Sequence, residues 1–417
     1  MFISRSSLWS DLDCAHTDKT HVYLERSGSS PINLRLWGGV GESSLDTFLQ
    51  IIPQAIGRLK SLSVSAESGD LQVVMAHLSH PAPLLETLDL VGGRHEELQV
   101  ASTIFNGDLS SLRELRLQRV RTDLPWGIMA NLTSFTLDCS PVGDFGGLLD
   151  FFESAPRLRN IDLRFTTLVS CENGRLVSLD HLEKMEILVC GPTSIFLDHI
   201  MIPAGAKLVI QTGQNTSIIE DHIPRSLDNF KNLSSIAKIG LCLDVFLSPF
   251  IRLSGPDGEL NIMIAHIDIH LVFGSLDRFD TSKTERLRID CSSGPLSRDP
   301  PYRALLAMRN LRTLVLSRST GLSHTFMNIL NPNTSPSKEV VCPSLEELVL
   351  VRRPWGNFDD DGEEAFYMRA VIEMAAARAS RGVKLGTVKD QAKLDPVDVL
   401  ELKKHVSYVE YGPEVDV

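Results

Sequence analysis

LETLDL (85–90), LRELRL (112–117), LTSFTL (132–137) and LRNIDL (158–163) are four versions of one phrase, L-x-x-L-x-L. The same phrase opens at Leu59 as LKSLSV, at Leu182 as the weaker LEKMEI, at Leu311 as LRTLVL and at Leu345 as LEELVL. A stretched form, LSSIAKIGL, starts at Leu233. From Leu59 to Leu182 the first leucines recur every 20 to 27 residues. A period of that size marks a solenoid, because one such unit is too small to bury its own apolar face and must stack on its neighbours. Within the phrases from Leu59 to Leu182 the last three residues alternate apolar and polar, the pattern of a half-buried strand.

Helical and turn signals fill the gaps between phrases. Leu45, Phe48, Leu49, Ile52 and Ile56 have helical spacing, with Ser44 as a cap and a break expected at Pro53. Asp70 is expected to cap LQVVMAHL (71–78), and FGGLLDFFES (145–154) reads as another helix. Pro83, Pro156 and Pro343 stand just before strand phrases, where they stop a helix and turn the chain. Residues 190–295 are less regular: AKLVIQ, LSSIAKIGLCLDVFL, GELNIMIAHIDIHLVF and ERLRID read as strands with weak helix signals between them. Three segments follow: a flank over 1–30 with a helix ending at Gly28, a solenoid over 31–355, and a capping region over 356–417. The cap holds a helix through EEAFYMRAVIEMAAARAS, in which Arg378 and Arg381 complement the helix dipole and Gly382 is the stop. VKLGTV then reads as a strand, Asp395-Pro396 starts a last helix, and VSYVEY closes as a strand. The fold class is therefore α/β, a leucine-rich-repeat-like solenoid: a curved parallel sheet with helices on its convex side, irregular central repeats and a helical C-terminal cap.

Composition narrows the function. The 417 residues carry a net charge of −12, and no run of Lys and Arg makes a basic patch, so the expected partner is a protein rather than nucleic acid. No apolar run is long enough to span a membrane, and the N-terminus lacks a signal peptide's basic start and long apolar stretch, which points to an intracellular setting, cytoplasmic or nuclear. Seven cysteines without C-x-x-C spacing argue against zinc and for a reduced compartment. The last four (Cys190, Cys242, Cys291 and Cys342) lie about two repeats apart and read as small buried residues at equivalent places.

Motifs that could carry chemistry are few. On a strand, His266, Asp268 and His270 of HIDIH would share one face and could ligate a metal, although the intervening apolar residues fit any half-buried strand. Asn357, Asp359, Asp361 and Gly362 match the first half of a calcium loop, but Met368 stands where its bidentate carboxylate belongs. Asp144-Phe145-Gly146 has none of the companion motifs of a kinase, and GGVGESS (38–44) lacks the lysine of a phosphate loop. The expectation is no enzyme, no catalytic residue, no cofactor and no metal. If the phrases line a sheet, the residues between the core leucines face solvent, among them Glu114, Gln118, Thr136, Thr313 and Ser317. The residues expected to bind protein on that face are Asp89, Arg116, Asp138, Asp162 and Arg164.

Three stretches carry a resemblance. FISRSSLWSDLDC with KTHVYLERSGSSPINLRL, the repeat phrases, and KLDPVDVLELKKHVSYVEY are together similar to the region that follows the F-box in fungal F-box proteins with leucine-rich-repeat-like tails. The resemblance implies the substrate-recognition part of a cullin-type ubiquitin ligase, joined to a Skp adaptor and a cullin through an F-box upstream of residue 1. The L-P-x-E-[IL] phrase of an F-box is not in this chain. The alternative is a free-standing leucine-rich-repeat scaffold with no ligase role.

Overall fold

A computed structural model describes residues 6–37, 41–93, 98–100, 104–122, 129–140, 145–165, 175–189, 191–212, 219–243, 249–263, 269–291, 297–317, 320–335, 338–351, 361–391 and 394–412. The chain divides into two compact units, one of residues 1–206 with 224–229, the other of 207–223 with 230–417.

The first unit is a parallel ladder of eight strands in chain order. They are β1 (Asp11–Asp13), β2 (Ile32–Trp37), β3 (Leu59–Ser65), β4 (Thr87–Val91), β5 (Glu114–Gln118), β6 (Ser134–Asp138), β7 (Asn160–Arg164) and β8 (Lys184–Val189). The phrase repeat becomes strand register directly. Leu34, Leu62, Leu88, Leu115, Phe135, Ile161 and Met185 form one buried row, and Leu36, Val64, Leu90, Leu117, Leu137, Leu163 and Ile187 form the next. The leading leucines Leu85, Leu112, Leu132, Leu158 and Leu182 are buried ahead of their strands, and Leu59 is buried at the start of β3. Helices α1 (Thr17–Ser27), α2 (Gly41–Ala55), α3 (Ser68–His77) and α4 (Phe145–Ser154) contribute Leu24, Phe48, Ile51, Ile52, Leu71, Val74, Leu148, Phe151 and Phe152 to the same core. Gly28 ends α1 in the left-handed region, as expected. Pro53 does not break α2, which runs two residues further; Ser44 lies within that helix and is buried rather than serving as its cap. Helix α3 starts at Ser68, so Asp70 falls in its first turn and favours the dipole there without capping.

Each repeat also locks to the next at its strand exit. The N–H of Gly92 donates to Gln118 O at 2.8 Å, that of Arg119 to Asp138 O at 2.9 Å, and that of Cys139 to Arg164 O at 2.8 Å. Arg119, Cys139 and Phe165 take left-handed backbone at this one place in three successive repeats. At Gly92 a β-carbon would lie 2.3 Å from Arg119 O, so only glycine fits beneath the turn of the following repeat. Ser140 stands eight residues after Leu132, where leucine-rich repeats place a buried asparagine or cysteine. Its Oγ accepts the buried N–H of Val120 at 3.0 Å and reaches the Asp138 carbonyl at 3.0 Å. Ser140→Ala leaves that N–H without a partner and is expected to cost about 1–3 kcal/mol, read as a lower midpoint in urea unfolding.

The second unit breaks the simple order. Its strands are β9 (Lys207–Thr212), β10 (Lys238–Leu243), β11 (Phe250–Gly255), β12 (Gly258–Met263), β13 (Arg286–Cys291), β14 (Thr313–Ser317), β15 (Glu347–Val351), β16 (Thr387–Asp390) and β17 (Tyr408–Tyr411). Along the sheet they run β9, β12, β11, β10, β13, β14, β15, β16, β17. Strand β11 is antiparallel to both neighbours, so a β-meander is inserted into an otherwise parallel stack. Its hairpin turns on Pro256-Asp257 between Gly255 and Gly258, a sequence with turn chemistry. A β-carbon on Gly255 would lie 1.8 Å from Ser235 O.

Several expectations change here. Ile269 and His270 open helix α6 (Ile269–Leu276), so the strand expected through HIDIH is corrected at those two residues; His266, Ile267 and Asp268 lie outside the described residues. The cysteines are not equivalent. Cys242 faces Asp290 and Cys291 faces Leu243, one register step apart, while Cys342 lies in the turn before β15; Cys190 lies outside the described residues. Beyond the short α5 (Ser194–Leu197), helices α7 (Asp299–Ala307) and α8 (Thr320–Leu330) lead to α9 (Asp361–Ser380), with Gly382 in the left-handed region as its stop. The strand expected at VKLGTV is shifted to Thr387–Asp390. Helix α10 (Pro396–Leu402) is capped as expected, with the Asp395 carboxylate accepting the Val397 N–H at 2.7 Å.

Candidate binding face

The polar side of the first unit's ladder is built by the residues between its core leucines. One rung reads Asp13, Arg35, Ser63, Asp89, Arg116, Thr136, Asp162, Glu186 from β1 to β8. The next reads Trp37, Ser65, Val91, Gln118, Asp138, Arg164, Leu188 from β2 to β8. Asp89, Arg116, Asp138, Asp162 and Arg164, far apart in the chain, thus fall on two adjacent rungs across four strands.

Their charges are interlocked. Arg116 Nε lies 3.9 Å from Asp89 Oδ1, and Ser63 Oγ donates to Asp89 Oδ2 at 3.2 Å. Arg164 grips Asp162 with two donors, Nε to Oδ1 at 2.9 Å and Nη2 to Oδ2 at 2.7 Å, and its Nη2 lies 3.8 Å from Glu186 Oε2. Lys184 Nζ meets the other oxygen of Glu186 at 2.7 Å. The hydrogen bond and charge of Asp162, with Glu186 and Asp138 behind it, raise the Arg164 guanidinium above its ordinary value against the cost of burial. Asp89 shifts the other way for an acid. Burial raises its carboxyl above the usual range, and Arg116 and Ser63 only partly oppose that. Its Oδ1 is sealed from solvent with no hydrogen-bond donor of its own. Arg35, Arg116 and Arg164 are exposed, and the large ring of Trp37 stands exposed at the rim of β2. The face therefore offers alternating acceptors and planar donors held in fixed positions, which suits recognition of charged and polar side chains.

Other expected positions behave differently. Glu114 is exposed, and Gln118 and Thr136 are half-buried. In the second unit Ser317 is buried, not solvent-facing, and so are Val315 and Val349, at the row that carries Arg288 on β13 and Lys389 on β16. The apolar runs LVL at 314–316 and 348–350 match that burial on both faces. Phe145 of the kinase-like triplet is a core residue, packed edge-on to Phe196 at 5.9 Å and to His199 at 5.4 Å; Asp144 lies outside the described residues. Asp361 opens α9 and Met368 is buried, while Asn357 and Asp359 lie outside the described residues. Among the described residues no group of three or more His, Cys, Asp or Glu side chains is placed to hold a metal ion. Among them too, no helix is long and apolar enough to cross a membrane.

Alternation in INLRL sets Asn33 and Arg35 opposite Ile32, Leu34 and Leu36, as the structure has them. Sequence reading missed Trp37 and Ser140. The first ends β2, whose phrase lacks the leading leucine, and the second was marked by its place eight residues into the repeat.

No protein-family model matches the chain, and no curated protein matches it. Among solved structures it is similar to one titled "Crystal structure of TLR13-ssRNA13 complex", with 14% sequence identity and a TM-score of 0.37, over 91% of this chain and 48% of that one. The chain thus spans about half the length of that structure's chain.

Proposed function

We propose that this chain is a non-catalytic, protein-binding repeat protein, and that it works inside the cell as the substrate-recognition part of an F-box subunit of a cullin-type ubiquitin ligase. The binding reading rests on the interlocked charge ladder from Asp89 to Glu186, which displays opposite charges at fixed spacing on a rigid sheet. The ligase reading rests on the likeness of residues 2–36, the repeats and 393–411 to the tails of fungal F-box proteins. In such a ligase the repeat face holds a target beside the ubiquitin-loaded enzyme, so it acts by raising effective concentration and needs no reactive side chain of its own. Skp and cullin contacts would belong to an F-box; the second reading is a free-standing leucine-rich-repeat scaffold with no ligase role.

Two measurements separate the readings. The reading frame extended through its upstream genomic sequence is expected to co-purify with Skp and cullin; extension without co-purification leaves the scaffold alone. Proteins captured from cell extract by the wild-type chain are expected to bind Arg116→Glu/Arg164→Glu roughly tenfold or more weakly. Undiminished capture by that double variant would remove the charge ladder from the account. Both arginines are exposed, so the fold is expected to survive the substitutions.

A further inference from the structure

The repeat that holds β17 presents, among the described residues, a strand edge without a partner strand beside an apolar helix flank. Strand β17 pairs with β16 and, among the described residues, with no other strand. The N–H groups of Tyr408 and Gly412 point at β16, bonding Gly386 O and Asp390 O at 2.9 Å each. Alternation along a strand then directs the N–H and C=O of Val409 outward. Helix α10 buries Val399 and Leu402 and leaves Val397 and Leu400 68% and 67% exposed on its opposite side. Tyr408, 59% exposed, stands on the polar face of the same repeat. An open edge next to exposed apolar side chains is a template for another chain.

We propose that this edge is a homodimer interface, in which β17 of two copies pair antiparallel about a two-fold axis through Val409. Three observations select a second copy in this register. Val409 facing Val409 of the second copy uses the two outward N–H groups and the two outward carbonyls in one reciprocal pair. The same register sets Tyr408 opposite Glu410 of the second copy, a hydroxyl donor against a carboxylate acceptor, whereas a shift of one residue would oppose Glu410 to its own copy. Finally, the two-fold lays α10 antiparallel to its mate, so that Asp395, Asp398 and Glu401 approach Lys403 and Lys404 of the second copy. In the single chain those carboxylates crowd one another, and Asp398 is raised above its usual range by burial, then by Asp395 and Glu401. Head-to-tail stacking on β1 is disfavoured, because it would bring Glu410 beside the Asp11 and Asp13 carboxylates and build an open filament rather than a closed pair.

Sedimentation of the full chain across a dilution series tests the proposal. A reversible monomer–dimer equilibrium is expected. Val409→Pro removes only an outward N–H, which an edge strand tolerates, and is expected to weaken association about tenfold or more through loss of the reciprocal pair. Leu400→Lys, at a site already exposed, is expected to weaken it as well and serves if the proline variant fails to fold; an unchanged thermal melt verifies folding. A monomer at every concentration, a dimer indifferent to both substitutions, or growth without limit as concentration rises would each overturn the proposal.

Discussion

Arg378→Ala is expected to destabilise the second unit by roughly 3–5 kcal/mol, the loss of a large buried side chain together with its charge-assisted hydrogen bonds. Arg378 lies near the end of α9 with its side chain wholly buried. Its Nη1 donates to Val341 O at 2.7 Å and its Nη2 to Cys342 O at 2.8 Å, tying the helix to the turn that opens β15. Burial lowers the guanidinium's proton affinity, and the Cys342 thiol beside it is pushed up to about 12 by its own burial, so that thiol stays protonated. Alanine would take from Val341 O the guanidinium donor, leave Cys342 O with the N–H of Leu345 at 3.1 Å, and open a void where the longest side chain of that core had been. Methionine restores volume but not the donors, so comparing Arg378→Met with Arg378→Ala separates packing from hydrogen bonding. Urea unfolding followed by circular dichroism provides the measurement, and a loss below about 1 kcal/mol would mean the turn finds other donors.

Leu117→Asp is expected to be at least as damaging in the first unit, on the order of 4–5 kcal/mol, because it buries an unpaired charge in the middle of an aliphatic row. Leu117 is wholly buried between Leu90 and Leu137. Repeats contact only their neighbours, so damage should spread outward from β5. Hydrogen exchange is expected to show protection falling first in β4 through β6 and last at β1 and β2. A uniform loss across the unit would refute that one-dimensional picture. The second unit holds a buried acid in the corresponding row: Asp390 follows Leu316 and Leu350. Its other neighbour, Tyr411, is exposed, whereas both neighbours of Leu117 in its row are buried leucines.

The ladder of the first unit was legible because its phrases keep one spacing rule, and register follows from spacing when one face must be buried. The place of Asp89, Arg116, Asp138, Asp162 and Arg164 on the polar side of the sheet was legible for the same reason: alternation fixes which side chains leave the core. Alternation misled at Ile269 and His270, because so short a pattern does not distinguish a strand from the first turn of a helix with apolar neighbours. The meander at 238–263 was visible as strands, but its direction is set by Pro256-Asp257 and by the close approach at Gly255, a tertiary contact. Arg378 looked like a dipole partner at a helix end; that it is buried depends on a turn 36 residues earlier in the chain.

Uniform register also makes the face editable by whole units. Leu62 faces Leu88, and Leu88 faces Leu115, in the same alignment. A gene that lost one complete repeat, β4 with its connecting segment, would bring Leu62 against Leu115 and keep both apolar rows continuous. The outer side would not be conserved: Ser63 would adjoin Arg116, and Asp89 would be gone. Recombination between repeats can therefore rewrite the polar side of the sheet while leaving its interior grammar intact.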